Sequence, residues 1–140
     1  MNLMGWNRCE QEFVRNVEKD TERIASIKEQ ALLRLVMIKT LPEKENMISF
    51  IVEGLYEVIK ELLVAYLLQY GMRSQNHQCL ITFFYKKNPD YETEAHLISQ
   101  MSYYRNRLTY YGEKIPKEFY NKNKNEIDKI IQWLGKLVKT

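Results

Sequence analysis

The feature that most constrains this chain is one long segment, from Asn46 to Tyr70, in which apolar residues recur at helical spacing. These residues cover a wide arc of a helical wheel, which is typical of a helix packed against neighbours on more than one side. Asn46 is predicted as its N-cap, because an Asn side chain can accept the free amides of a first turn. The segment therefore predicts a long buried helix.

The remaining segments are also predicted to be helical. Only five glycines and three prolines interrupt the 140 residues, which favours long helices over a sheet with many turns. Helices are predicted from the N-cap Asp20 to Leu41, after the Asn88-Pro89-Asp90 turn to Tyr111, and from Pro116 onward, with a short helix in residues 74–87. We predict an all-α fold, an antiparallel bundle of four to five helices, in one domain over residues 1–140. Residues 1–19 are expected to form a leading helix packed on the bundle.

The composition sets limits on location and chemistry. The chain is 45% hydrophobic and 28% charged, which is typical of a soluble globular protein, and no apolar run reaches membrane-spanning length. We expect a cytoplasmic protein without a membrane partner. Cys9 and Cys79 lack metal-ligand spacing and only two histidines accompany them, so no metal site and no cofactor is predicted. Their thiols are expected to be reduced and inert.

The densest chemistry lies in residues 103–112, which hold two arginines, one asparagine and four tyrosines before Gly112. Arginine forks bind phosphate or carboxylate, and tyrosines stack on bases or donate hydrogen bonds. A net charge of +3 does not by itself indicate nucleic-acid binding, but the basic excess is concentrated around this stretch. Gly112 is predicted as a left-handed helix cap. The residues predicted to bind nucleotide or RNA are Tyr104, Arg105, Arg107, Tyr111 and Lys114.

A row of carboxylates on the long apolar helix is a second candidate. Glu53, Glu57 and Glu61 are spaced four residues apart, with Lys60 beside them. Paired carboxylates can serve acid–base catalysis, but ion pairs along a polar seam explain the same spacing. His77 stands at the start of a predicted helix, where the helix end is expected to lower its pKa and favour the neutral ring.

Three stretches together resemble the HEPN (higher eukaryotes and prokaryotes nucleotide-binding) domain. Residues 57–63, Glu-Val-Ile-Lys-Glu-Leu-Leu, resemble the signature of the family's second helix. His77-Gln78-Cys79-Leu80 resembles the His-x-x-Leu that follows it, and Arg105-Asn106 resembles the family's Arg-containing motif. The resemblance covers most of the chain from Asp20 onward and implies a helical bundle that forms a homodimer through its helices.

The resemblance also implies an activity. Many HEPN proteins are metal-independent ribonuclease toxins paired with a small nucleotidyltransferase antitoxin, and their active site combines an Arg with a His a few residues later. Arg105 and Asn106 match the first part, whereas Tyr110 stands in place of the His. Tyrosine titrates near 10, too high for an efficient base at neutral pH. The predicted catalytic set is therefore Arg105 and Asn106, with Tyr110 or His77 in the acid–base role.

Helix geometry separates Arg105 from Tyr110. Five residues on an ideal helix rotate about 140°, so the two side chains converge only if the last turn unwinds or if two helices meet across a dimer axis. Three functions remain open. The favoured one is binding of a nucleotide, RNA or a nucleotidyltransferase partner in a toxin–antitoxin-type pair, with little or no catalysis. The alternatives are a ribonuclease toxin and a purely structural homodimeric module. The resemblance further implies Tyr110 and Tyr111 as sites of modification by the partner.

Overall fold

The structure, a computed structural model, describes residues 2–139 and is mostly helical. In chain order the elements are α1 (Trp6–Glu12), β1 (Val14–Asn16), α2 (Thr21–Lys39), α3 (Ile48–Gln69), β2 (Met72–Ser74), α4 (His77–Lys87), α5 (Glu92–Tyr111) and α6 (Lys117–Leu137), with short 3-10 turns at Glu45–Met47 and Pro89–Tyr91. The all-α prediction is confirmed, since the one sheet found within these residues consists of two three-residue strands.

Helix α3 lies at the centre of the hydrophobic core. It contacts α2, α4, α5 and α6, and most of its side chains are buried. This agrees with the wide apolar arc of its sequence, because a helix surrounded by neighbours needs apolar residues on several sides. The polar residues of α3 that the next subsection describes therefore lie in gaps between packed helices.

Gly54 allows α2 and α3 to approach closely. A Cβ atom added at Gly54 would lie 2.7 Å from Cγ1 of the buried Ile38, and nearer still to its Cδ1. Gly54→Ala is therefore expected to destabilise the fold by about 1–2 kcal/mol in urea unfolding, although alanine is the better helix former. The matched control is Gly135→Ala in α6, where no neighbour from residues 2–139 lies within 4 Å of the added Cβ and a gain of up to about 1 kcal/mol is expected. Equal effects at the two positions would contradict the close approach.

Local helix signals were mostly accurate. The Asp20 side chain caps α2 by accepting from the amide of Arg23 at 3.0 Å, as predicted. Gly112 ends α5 with φ at 65°, the left-handed conformation expected of it. The prediction of Asn46 as the N-cap of α3 was wrong. Asn46 lies inside the 3-10 turn, and α3 begins at Ile48 without a side-chain cap, because the turn itself leads into the helix.

The N-terminal region differs from the prediction in two ways. The leading helix is confined to α1, after which β1 pairs antiparallel with β2, with Val14 opposite Ser74. Such short strands have no alternating pattern that a sequence could show. The expectation of free thiols was also wrong, since Cys9 and Cys79 form a disulfide with a Cα–Cα distance of 5.6 Å. Their 70-residue separation in sequence is closed because α1 lies on α4.

None of the helices within residues 2–139 has both the length and the apolarity that crossing a membrane requires. Over the same residues, no group of three or more histidine, cysteine or acidic side chains is placed to hold a metal ion.

Candidate functional site

Arg105 lies on the face of α5 that is turned towards α3. Its Nη2 is 3.8 Å from Oε1 of Glu57, which is an ion pair too long for a hydrogen bond. Its Nη1 donates to Oδ1 of Asn106 at 3.2 Å. Its Nε is buried and has no acceptor among residues 2–139. Because a buried donor without an acceptor is costly, this Nε–H is the strongest indication of a missing partner in the site.

Lys60 adds a second positive charge. Its Nζ lies 2.6 Å from Oε2 of Glu57, so one carboxylate is shared between Lys60 and Arg105. The three side chains are between 19% and 26% exposed, which leaves them partly shielded from solvent. Two cations against one anion leave a surplus positive charge, and partial burial strengthens its field. This cluster suits an anionic ligand.

His77 is the first residue of α4 and is oriented by Tyr56. The Tyr56 hydroxyl is 3.1 Å from Nδ1 of the imidazole. Burial lowers the pKa of His77, and the positive charges of Lys60 and Arg105 lower it further. The direction matches the prediction, although burial and cations, rather than the helix end, are the causes. His77 is therefore neutral at pH 7 and able to accept a proton.

Tyr56 fixes the histidine ring. Its side chain is 1% exposed, and burial raises the pKa of its hydroxyl, while a hydrogen bond with Ser102 of α5 lowers it. Since the hydroxyl keeps its proton at neutral pH, it can donate to Nδ1 or accept from it. In either tautomer the ring plane is held and Nε2 is left for another partner.

The N-terminal region positions the start of α4. The Asn76 side chain caps the helix by accepting from the amide of Cys79 at 3.1 Å, and the Ser74 hydroxyl accepts from the amide of Asn76 at 3.1 Å. Pairing of β1 with β2 fixes Ser74, while the disulfide holds Cys79. His77 therefore lies between two points at which the N-terminal region is attached.

Other predicted residues lie away from this cluster. Arg107 is paired with Glu113 and stacks on the ring of Tyr111 at 4.3 Å. Tyr110 is 71% exposed and Lys114 is exposed in the loop after α5. Helix α5 continues through Tyr111, so its last turn does not unwind. Arg105 and Tyr110 therefore do not converge within one chain. Convergence across a dimer stays a prediction.

Tyr104 and the glutamates of the carboxylate row each contact a different set of neighbours. Tyr104 packs against Phe119 of α6, with ring centroids 4.6 Å apart, so its face is occupied. Within the glutamate row, Glu61 pairs with Arg34 of α2 at 2.5 Å, whereas Glu57 pairs with Lys60 and Arg105. Glu53 is half-buried on the same helix. The row thus spreads over two helix interfaces.

Sequence reasoning missed Tyr56 and Ser102. Tyr56 lies within the apolar run of α3, where an aromatic residue signals only packing, and Ser102 carries no motif of its own. The four-residue spacing of Tyr56 and Lys60 was the available signal, because such residues share one helix face.

Comparisons with known proteins add no identification, because no family model, curated protein or solved structure matches this chain. The functional interpretation therefore depends on the geometry around Arg105 and on the motifs in the sequence.

The lowered pKa of His77 makes stability depend on pH. The unfolded histidine takes up a proton near pH 6.5, whereas the folded one does so at lower pH, so the unfolded state gains more protons as the pH falls. Stability is expected to decline as the pH falls from about 7.5 through 6.5. His77→Asn should lose less stability over the same range in urea unfolding. Identical pH profiles of the wild type and the variant would contradict the assignment.

Proposed function

We propose that this chain is a HEPN-like helical bundle that binds the phosphate of RNA or of a nucleotide at Arg105 and Lys60. The single observation that carries the proposal is the buried Nε–H of Arg105, which has no acceptor among residues 2–139. A phosphate oxygen supplies such an acceptor once the guanidinium turns towards solvent, to which 23% of the side chain is already exposed, and arginine forks match phosphate geometry.

The long contact with Glu57 is consistent with this binding mode. At 3.8 Å the carboxylate attracts the guanidinium without occupying its donors, whereas it holds Lys60 closely at 2.6 Å. Glu57 thus orients both cations without neutralising them fully. A bound phosphate would gain hydrogen bonds from Arg105 and electrostatic attraction from Lys60.

Fluorescence anisotropy with a labelled single-stranded RNA tests this binding. Because two cations contact phosphate in the proposal, log Kobs should fall with log salt concentration with a slope of about −1.4. Absence of binding even at low salt would contradict the proposal.

Metal-independent RNA cleavage is the second candidate, favoured by the neutral His77 near Arg105. In this reaction Nε2 of His77 takes the proton of a ribose 2′-hydroxyl, and the 2′-oxygen forms a bond to phosphorus. The bond from phosphorus to the 5′-oxygen breaks, and the leaving oxygen takes a proton from solvent or Lys60. The products are a 2′,3′-cyclic phosphate and a 5′-hydroxyl end.

Cleavage assays in the presence of EDTA show whether His77 or Tyr110 takes the acid–base role. His77→Asn is expected to lower the rate by about 100-fold or more, whereas Tyr110→Phe should keep it. The acidic limb of the pH profile should have its midpoint below the usual 6.5, since the histidine must be neutral. Full activity of His77→Asn would exclude this mechanism, and no cleavage by the wild type leaves binding as the function.

We also propose the partners that the resemblance implies, a homodimer and a nucleotidyltransferase. Exposed apolar side chains on α2, including Leu33 and Val36 at 55% and 65% exposure, give a surface for association. Tyr110 and Tyr111 are 71% and 68% exposed, so a modifying enzyme can reach them. A modified tyrosine would place a phosphate beside Arg107 and form a modification site separate from Arg105. If the chain associates through the α2 surface and binds neither RNA nor nucleotide, its function is that of a purely structural homodimeric module.

The cytoplasmic location stays a proposal. The disulfide between Cys9 and Cys79 is the observation against it, because disulfides are rare in reducing compartments. Thiol alkylation in intact cells, followed by mass spectrometry, distinguishes a reducing location from an oxidising one. Alkylated Cys9 and Cys79 in the native protein would indicate a reducing location.

A further inference from the structure

Two arginines lie directly opposite each other on the ribbon formed by β1 and β2. Arg15 of β1 is the partner of Arg73 of β2 in the antiparallel register. Side chains paired in this way leave the same face of a ribbon with their Cβ atoms about 5 Å apart, and like charges in this position are destabilising. Neither arginine forms an ion pair with an acidic side chain of residues 2–139. The described chain therefore supplies no counter-charge to offset their repulsion.

Both arginines line one cavity of about 400 Å³, which lies between the end of α1, the ribbon and the segment before α4. Arg15 is exposed and Arg73 is half-buried, so a ligand can enter the cavity from solvent. Among the described residues that line it, Glu12 is the one acid, and its carboxylate is held by Arg8 at 2.6 Å. The cavity therefore has a surplus of positive charge and suits an anion.

The uncharged side chains of the cavity do not select a ligand by themselves. Carboxamides of Gln11, Gln75 and Asn76 line it, and such groups can both donate and accept hydrogen bonds. Phe13, 38% exposed, gives an apolar wall. Neither Arg105 nor Lys60 is among the described lining residues, so this cavity is separate from the site on α5. The class of ligand is therefore decided by the two guanidinium groups.

The charges and donors of the two guanidinium groups distinguish between kinds of anion. Each group offers a planar fork of N–H donors, and one fork is enough for a carboxylate with two oxygens and one charge. An internal phosphodiester of a nucleic acid also carries a single charge. A phosphate monoester has three terminal oxygens and a charge of about −1.5 to −2 at pH 7. It matches two forks and two positive charges.

We propose that this cavity binds the terminal phosphate of a phosphate monoester between Arg15 and Arg73. Sugar phosphates and nucleoside monophosphates share this group, and Phe13 contacts the part of the ligand next to the phosphate. The phosphate supplies the counter-charge that the paired arginines lack. The inference does not depend on phosphate binding at Arg105.

NMR titrations test the site, because the backbone amide signals of residues 15 and 73 report on it separately from those near residue 105. At one fixed ionic strength, ribose 5-phosphate and uridine 5′-monophosphate should shift these signals and bind about tenfold more tightly than dimethyl phosphate or acetate. Tighter binding of the uridine compound, lost in Phe13→Ala, would identify a nucleotide as the ligand. Equal binding of the two monoesters would identify a sugar phosphate.

Substitution of either arginine should remove the site without harming the fold. Arg15→Gln and Arg73→Gln are each expected to weaken binding of ribose 5-phosphate about tenfold, the effect of one charge-assisted hydrogen bond. Without ligand, both variants should unfold at the same temperature as the wild type or a higher one, because the repulsion is gone. Arg23→Gln, at the exposed start of α2, is the matched control and should bind as the wild type does.

Four results would overturn the inference. Acetate or dimethyl phosphate binding as tightly as the monoesters would exclude a site for a terminal phosphate. Unchanged signals at residues 15 and 73 would exclude the ribbon as the binding place. An equal loss of affinity in Arg23→Gln would reduce the effect to overall charge. Shifts at residues 15 and 73 that disappear in Arg105→Ala would make them a consequence of binding at Arg105, whereas shifts that persist support a separate site.

Discussion

Replacing both Cys9 and Cys79 with serine is expected to lower the free energy of unfolding by about 4 kcal/mol. The disulfide closes a loop with a sequence separation of 70 residues, and a cross-link of that length restricts the unfolded chain by about this amount. Urea unfolding of the oxidised wild type and the double variant measures the difference. It is the largest stability effect we predict for any substitution in the chain.

A reducing agent supplies the control for this prediction. It should destabilise the wild type by about as much as the double substitution, and it should leave the double variant unchanged. An oxidised wild type that does not respond to reduction would contradict the stabilising role. Because the disulfide also fixes the first turn of α4, the double variant should bind RNA more weakly than the wild type at temperatures where both are folded.

Substituting Arg105 is expected to have the largest effect on ligand binding. Arg105→Ala removes the fork and the unpartnered Nε donor, and RNA affinity should fall by about 30-fold, the equivalent of about 2 kcal/mol. Arg105→Lys keeps the charge but not the planar fork, so it should recover only part of the loss. Anisotropy titrations at one fixed salt concentration give the comparison.

The matched control is Arg107→Ala, two residues along the same helix. Arg107 is already engaged by Glu113 and by the Tyr111 ring, so its removal should change RNA affinity by about twofold or less. A larger loss in Arg107→Ala than in Arg105→Ala would move the binding site to the exposed end of α5. Thermal unfolding of both variants shows whether the fold is intact.

Much of the fold could be predicted from local signals in the sequence. The Asp20 cap and the left-handed Gly112 are determined by neighbouring residues, so their sequence context is sufficient to predict them. The prediction for the N-terminal region was wrong for the opposite reason. The disulfide and the β1–β2 pairing join residues distant in sequence, and their partners are fixed by how α1 lies on α4.

In the candidate site, too, local features could be predicted from the sequence and long-range ones could not. The Arg105 motif could be found from residue types alone, and His77 could be named as an alternative to Tyr110. Their common surroundings could not, because they depend on α3 carrying Tyr56 and Lys60 between α4 and α5. Tyr110 illustrates the limit of motif spacing, since its position in sequence is close to Arg105 while its side chain is exposed to solvent.

The most direct test of phosphate binding at Arg105 is the NMR signal of its own Nε–H group. We predict that this resonance shifts as phosphate or a short RNA is added, because the buried donor gains an acceptor, while the Nε–H resonance of Arg107 stays in place because Glu113 already accepts from it. A shift of the Arg107 resonance with none at Arg105 would contradict the assignment of the site.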